Sequence, residues 1–307
     1  MKWMFFLPLG AVVAAAVACD GDTVPVGTYE ETDGAAAASS GSPDANAPDS
    51  RPSEGDEDDA APSGPRVVVS VRAHGDPVAH DPATAGQMPK AQSLAIRSLT
   101  LLRSADDPDP YVVFDYGASS KEAGLEDGAD TEVASVAAST LRAGSFTLAR
   151  CGVAFVRYRV AATMHAFGQR APGELQSLHV LSDAVQVDGA RRDRGHFAFS
   201  FETPGMPPVA VQGDDAAIPQ VPTGAGFTLD LGTPDAAYVF PVAVLVPQGV
   251  QSGYRVIFDL NTHENFRWTD ERGDGYAEDV FDVTPASYET VTSFGANSFA
   301  ISAEALP

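Results

Sequence analysis

Leu141-Arg142-Ala143-Gly144-Ser145-Phe146-Thr147-Leu148-Ala149-Arg150-Cys151-Gly152-Val153-Ala154-Phe155-Val156-Arg157-Tyr158-Arg159-Val160-Ala161-Ala162-Thr163-Met164-His165 is the stretch on which the fold turns. Its apolar residues recur with a period of two. Phe146, Leu148, Ala154, Val156, Tyr158, Val160, Ala162 and Met164 fall on one face of an extended strand, and Arg157 and Arg159 fall on the other. A turn at Arg142-Ala143-Gly144 launches the pattern. Gly152 inside it predicts a bulge or a close backbone approach. Cys151, set among apolar residues of the same strand, reads as a buried and inert thiol.

Strand signals continue on both sides of this run. Upstream lie the β-branched Arg66-Val67-Val68-Val69-Ser70-Val71 and the segments 92–103 and 111–116, the last two split by Ala105-Asp106-Asp107-Pro108-Asp109-Pro110. Segment 117–130 reads as a polar loop, and 131–139 as a short strand or one helical turn. Downstream, Arg194-Gly195-His196-Phe197-Ala198-Phe199-Ser200-Phe201 alternates again, with three phenylalanines on one face. Segments 227–231, 237–246 and 254–261 follow as strands, and 299–302 closes a sheet. Pro241 inside the second of these marks an edge or a bulge. No long amphipathic helix and no repeat of 20–50 residues is visible. The expectation is an all-β, antiparallel β-sandwich over residues 66–307. Residues 66–202 form the first part. Residues 203–307 either continue it or form a second sandwich, with the turn-rich 203–226 as the candidate seam.

The N-terminal part has a different chemistry. Residues 20–65 are rich in Ala, Ser, Gly, Pro, Asp and Glu, with twelve acidic residues and one basic residue, Arg51. Such a segment buries too little apolar area to offset the entropy of ordering it, so 19–65 is expected to be a disordered acidic linker. The whole chain carries a net charge of −23, of which −13 belongs to residues 66–307. That charge argues against nucleic acid, which needs basic patches to displace counterions.

Residues 1–18 have the form of a secretory signal: Lys2, an apolar run from Trp3 to Val17, and a small-residue cleavage site. Ala16-Val17-Ala18-Cys19 resembles the lipobox of bacterial lipoproteins, although Ala16 stands where leucine is preferred. The resemblance implies lipid on Cys19, attachment to a membrane and a place in the cell envelope: the outer membrane, the cell surface or the periplasmic face. Ala16-x-Ala18 also fits an ordinary signal-peptidase site, which would release a soluble protein. A second, shorter resemblance rests on Gly144-Ser145-Phe146-Thr147-Leu148-Ala149-Arg150. It is similar to a Gly-x-aromatic-x-x-x-Arg strand in β-sandwich domains of bacterial lipoproteins, grouped with immunoglobulin-like or prealbumin-like folds. It implies that fold class over about residues 66–165.

Sequence signatures of chemistry are few. Gly-x-Ser-x-Gly, His-Glu-x-x-His, P-loop and Rossmann signatures are absent. The six histidines are scattered, and His263-Glu264 has no second histidine downstream at helical metal-ligand spacing. No catalytic residue is assigned and the expectation is a protein that is not an enzyme; an exported hydrolase without a recognisable motif is the remaining alternative. One loop stands out: Asp270-Glu271-Arg272-Gly273-Asp274-Gly275-Tyr276-Ala277-Glu278-Asp279. Calcium takes six to eight oxygens from a tightly curved loop, which makes Asp270, Asp274, Glu278 and Asp279 candidate ligands. Arg272 and Phe281 occupy positions where an EF-hand-type loop has oxygen ligands, and a plain polar turn is the competing account. Phe266 and Trp268, just before the loop, are candidate ligand-binding aromatics that could stack on a sugar, or core residues between two sheets. The sequence as a whole reads as a lipid-anchored envelope protein with a non-catalytic β-sandwich that binds an envelope protein or glycan or supports the envelope. A carbohydrate- or matrix-binding module stiffened by calcium is the nearest alternative.

Overall fold

The computed structural model describes residues 64–306, apart from 217, 219, 220, 223, 233, 234, 272–274 and 285–287. The expected signal segment and nearly all of the acidic linker lie outside the described residues. Strands dominate the rest. The chain opens with β1 (Arg66–His74), β2 (Ala85–Gln87), β3 (Ala91–Leu102), β4 (Tyr111–Asp115), β5 (Lys121–Gly124) and β6 (Asp130–Ala137). The middle holds β7 (Gly144–Ala166), β8 (Gln169–Val180), β9 (Val185–Val187), β10 (Ala190–Arg192), β11 (Phe197–Glu202) and β12 (Val209–Gly213). The last part supplies β13 (Thr228–Asp230), β14 (Ala237–Val246), β15 (Tyr254–Asn261), β16 (Phe266–Trp268), β17 (Asp282–Val283), β18 (Val291–Ser293) and β19 (Ser298–Ala305). Among the described residues the one helical turn is Ala138–Thr140, directly after β6, so segment 131–139 is both a strand and a turn. The segment expected as a polar loop, 117–130, carries β5, which pairs with β3.

The 23-residue β7 is the spine of a ten-stranded sheet. One of its edges pairs first with β14 and then with β8. Its other edge pairs with β3 and then, in parallel, with β17. Between those two partners a side chain extends the ladder. The Gln87 amide donates to the Ala161 carbonyl and accepts from the Ala161 N–H, both at 2.9 Å.

A bulge changes which residues of β7 face inward. Val153 lies opposite Ile96 and Phe155 opposite Ala95, so Ala154 is an extra residue on β7, and Arg97 is an extra residue on β3. The buried phase moves from Ala149, Cys151 and Val153 to Val156, Tyr158, Val160 and Ala162. The single-face pattern expected from the sequence is corrected at two positions. Ala154 joins Phe155 in a cluster on the outer face, and Leu148 stands outside the main core. The close approach expected at Gly152 is present: a Cβ there would meet the Ser98 hydroxyl at 2.3 Å. Pro241 also sits at a register shift between β14 and β7.

A four-stranded sheet in the order β19-β15-β1-β6 packs on the inner face of the large sheet. Its β1 and β15 run parallel, and its other pairs are antiparallel. Val69, Val71, Phe258 and Leu260 from this sheet meet Leu94, Ile96, Leu99, Cys151 and Phe240 from the other. A void of about 20 Å³ remains between them. It is large enough for one water but has no polar partner to hold it. A three-stranded sheet, β18-β16-β2, covers the other end of the inner face. Phe266 and Phe294 there pack on Tyr158 at centroid distances of 5.4 and 4.7 Å. The architecture is an all-β sandwich. Because β14 pairs with β7 and β15 with β1, strands on both sides of 203–226 share the same sheets, and residues 203–307 continue the first domain.

Candidate functional site

The outer face of the large sheet is covered at one end and open at the other. The cover is the β9–β10 hairpin, turned by Asp188-Gly189 with φ of 50° and 74°. Two successive positive φ values give the tight turn that suits a two-residue hairpin. Val185 and Val187 from the hairpin pack on Phe155, Leu178 and Val180. Beyond the hairpin lies a groove of about 680 Å³.

Strand pairing builds its floor in two rows. One runs Ala91, Arg159, Gln176, Ser200 and Ala210 across β3, β7, β8, β11 and β12. The next runs Ser93, Arg157, Leu178, Ala198 and Gln212 across the same strands. The first row has alanines at both ends with Arg159 and Gln176 between them; the second carries Arg157 beside the apolar Leu178 and ends in Gln212. At roughly 4.8 Å per strand, five strands make the floor about 19 Å wide.

The two arginines of the floor are held differently. Arg157 is clamped: its guanidinium donates to both Asp188 carboxylate oxygens at 2.8 and 3.2 Å and lies 4.9 Å over the Phe155 ring. This fork fixes it against the hairpin. Arg159 has only Glu174 at 3.6 Å, and its side chain is 42% exposed. Glu174 is drawn to Lys90 at 2.5 Å, and that ammonium lowers its carboxyl below the usual range. Gln176 donates to Glu202 at 2.7 Å. Among the described residues the Arg159 side chain donates no hydrogen bond, so its planar fork can reach a ligand.

The residues expected at a site are distributed otherwise. Cys19 and Asp274 lie outside the described residues. Phe266 and Trp268 do not form a ligand surface, which corrects that expectation; the alternative, core residues between sheets, is what the structure has. They are 0% and 1% exposed, because β16 is the middle strand of its sheet and both rings pack against Phe281. Asp270 is half-buried, and Glu278 and Asp279 are exposed. None of these three belongs to a metal-competent cluster among the described residues. Carboxylates next to the loop are engaged by protein donors instead. Glu289 accepts the Glu271 and Asp282 backbone N–H groups, both at 2.7 Å. Burial raises the Glu289 carboxyl, with nearby Asp282 and Asp270 adding to the shift. Asp282 faces His165 Nε2 at 2.5 Å and accepts the Ala277 N–H at 3.2 Å. Cys151 is buried as expected, and desolvation pushes its thiol up to about 12, which makes it inert at neutral pH.

Sequence reasoning placed Arg157 and Arg159 on one face but did not reach Gln176, Ser200 or the hairpin. Asp188-Gly189 between Val185-Gln186-Val187 and Ala190 was the available signal, a hairpin dipeptide flanked by alternation. No family model, curated protein or solved structure matches this chain.

Proposed function

We propose that this protein is a lipid-anchored lipoprotein of the bacterial cell envelope whose β-sandwich is a non-catalytic binding module, and that the groove on the outer face of its large sheet takes an extended acidic glycan. The groove carries this reading. Its width suits a chain of several sugars. Gln176, Gln212, Ser93 and Ser200 offer hydrogen bonds to hydroxyl groups, and Arg159, held only by a 3.6 Å ion pair to Glu174, offers its fork to a carboxylate. A peptide would be expected to need apolar side-chain pockets, and the floor is mainly small or polar. Ala16-Val17-Ala18-Cys19 supports the anchor, and the acidic 20–65 segment suits a spacer between lipid and domain.

The binding test uses acidic and neutral envelope glycans against the wild type and Arg159→Ala. An acidic glycan should bind the wild type, and the variant should weaken it at least about tenfold, as loss of a charge-assisted bidentate contact requires. Equal binding by both proteins, or preference for an apolar peptide, would overturn the groove assignment. The anchor is tested separately by metabolic labelling with a fatty acid. Label should appear in the wild type and vanish in Cys19→Ala.

A further inference from the structure

Away from the groove, His80, His263 and Glu264 converge from segments 183 residues apart in sequence. His80 lies on the segment between β1 and β2, and His263-Glu264 forms the turn between β15 and β16. Parallel pairing of β1 with β15 brings the two segments to the same end of the sandwich. His80 Nε2 lies 3.2 Å from His263 Nδ1. One donor atom from each imidazole and one carboxylate oxygen of Glu264 all fall within 4.8 Å of one another. We propose that these three residues are a binding site for a divalent cation of the zinc class, with His80 Nε2, His263 Nδ1 and the Glu264 carboxylate as ligands and one position open to water.

Geometry supports the assignment. Zinc–nitrogen bonds of about 2.0–2.1 Å at a tetrahedral angle place two nitrogens roughly 3.3 Å apart. The observed 3.2 Å matches that edge. Two imidazoles and a carboxylate are also a donor set that borderline metals favour over calcium or magnesium.

The surroundings fix each ligand. The His263 N–H donates to Asn261 Oδ1 at 3.1 Å, and its carbonyl accepts from Asn297 Nδ2 at 2.7 Å. Glu264 sits in the turn at φ 41°, a left-handed conformation uncommon for a non-glycine residue. The Arg267 guanidinium reaches Glu264 Oε2 at 3.3 Å and is anchored by the Thr84 carbonyl at 2.5 Å. That contact leaves the other carboxylate oxygen for a metal, in the way outer partners orient ligating carboxylates. A bound ion would staple the β1–β2 segment to the β15–β16 turn.

The competing account is a His80 Nε2–H that donates to the His263 carbonyl at 3.1 Å and faces His263 Nδ1 at 3.2 Å; metal binding needs the other tautomer, with the His80 proton on Nδ1, and cobalt(II) distinguishes the two. Full-length protein stripped with a chelator is titrated with cobalt(II), followed by zinc. The wild type should take up one equivalent, show the visible d–d absorption of a four- or five-coordinate site, and lose it to zinc. Zinc in excess should also raise Tm, since an ion bound only by the folded state stabilises it. His80→Ala and His263→Ala should abolish the absorption, while Glu264→Gln should weaken binding by about tenfold or more. His80→Ala lies outside the strands and guards against misfolding of the His263 variant; circular dichroism checks both. No absorption in the wild type would overturn the proposal. So would an absorption unchanged in folded His80→Ala, or a zinc-dependent Tm shift of equal size in all the proteins.

Discussion

On β7, Val156, Tyr158 and Val160 point into the core, while Arg157 and Arg159, each one residue away, line an open groove. The two faces of the large sheet are thus made from the same strands and differ only in phase. The inner face meets two other sheets and is filled with phenylalanine, leucine and valine. Among the described residues the outer face is covered by a small hairpin, and the groove beyond it is lined mainly by small and polar residues. A one-residue slip of β7 would bury both guanidinium groups and expose the core residues, so the arginines help to specify the register that creates their own groove. Fold and candidate function are coupled through alternation, and the two faces should respond to substitution in opposite ways.

The largest effect is expected on the inner face. Phe146 is 1% exposed and packs against Tyr111 at a centroid distance of 6.2 Å. Phe146→Ala should destabilise the domain by about 3–5 kcal/mol through lost transfer energy and the cavity left behind. The measurement is the urea midpoint at constant m. A loss below about 1 kcal/mol would mean that the inner face is not the close-packed layer described.

The inner face also contains an exception. His179, opposite Val156, stacks on Tyr158 at 6.0 Å, and its Nδ1 is buried without a partner. Desolvation lowers its imidazole to about 4. The folded state therefore binds fewer protons than the unfolded chain between pH 6.5 and 4. The full contribution of neutral His179 is present above pH 6.5, and it falls as pH drops toward 4. The residue keeps some accessible surface, so the loss is expected at about 2 kcal/mol rather than the larger value of a fully sealed group. His179→Leu should flatten this part of the stability–pH curve. A curve of unchanged shape would show that the histidine is hydrated.

These contrasts also show what one sequence can reveal. The inner face was legible because period-two alternation is local, and most of β7, β1, β3, β11 and β15 was visible that way. The bulge at Ala154 was not, because its extra residue is defined against β3. Strand β8 was missed for a related reason. Pro172, Gly173, Glu174, Gln176 and Ser177 have poor strand propensity, and the segment is a strand because β7 and β11 flank it on both sides. The groove inherits that difficulty: Arg159, Gln176 and Ser200 meet only through two long-range pairings. His80 and His263 lie further apart still, 183 residues in sequence, and meet only through the β1–β15 pairing. Phe266 and Trp268 are open in sequence to two readings, ligand-binding aromatics or core residues, and their burial selects the core. Their neighbourhood in sequence is polar, while their neighbourhood in space is the core.

The smallest stability effect, and the sharpest test of the contrast, belongs to Arg159. Its ion pair with Glu174 is long, partly exposed and shared with Lys90 and its shorter contact. Exposed pairs of this kind contribute about 0–1 kcal/mol. Arg159→Ala should therefore move the urea midpoint by less than about 0.5 kcal/mol, while the Phe146 substitution on the same strand costs several times more. If removing Arg159 proved as damaging as removing Phe146, its side chain would be holding the sheet together and would not be free to meet a ligand. If it proved silent for stability, any loss of ligand affinity in the same variant could be assigned to the missing guanidinium rather than to a damaged fold. Stability and binding must therefore be read in the same variant.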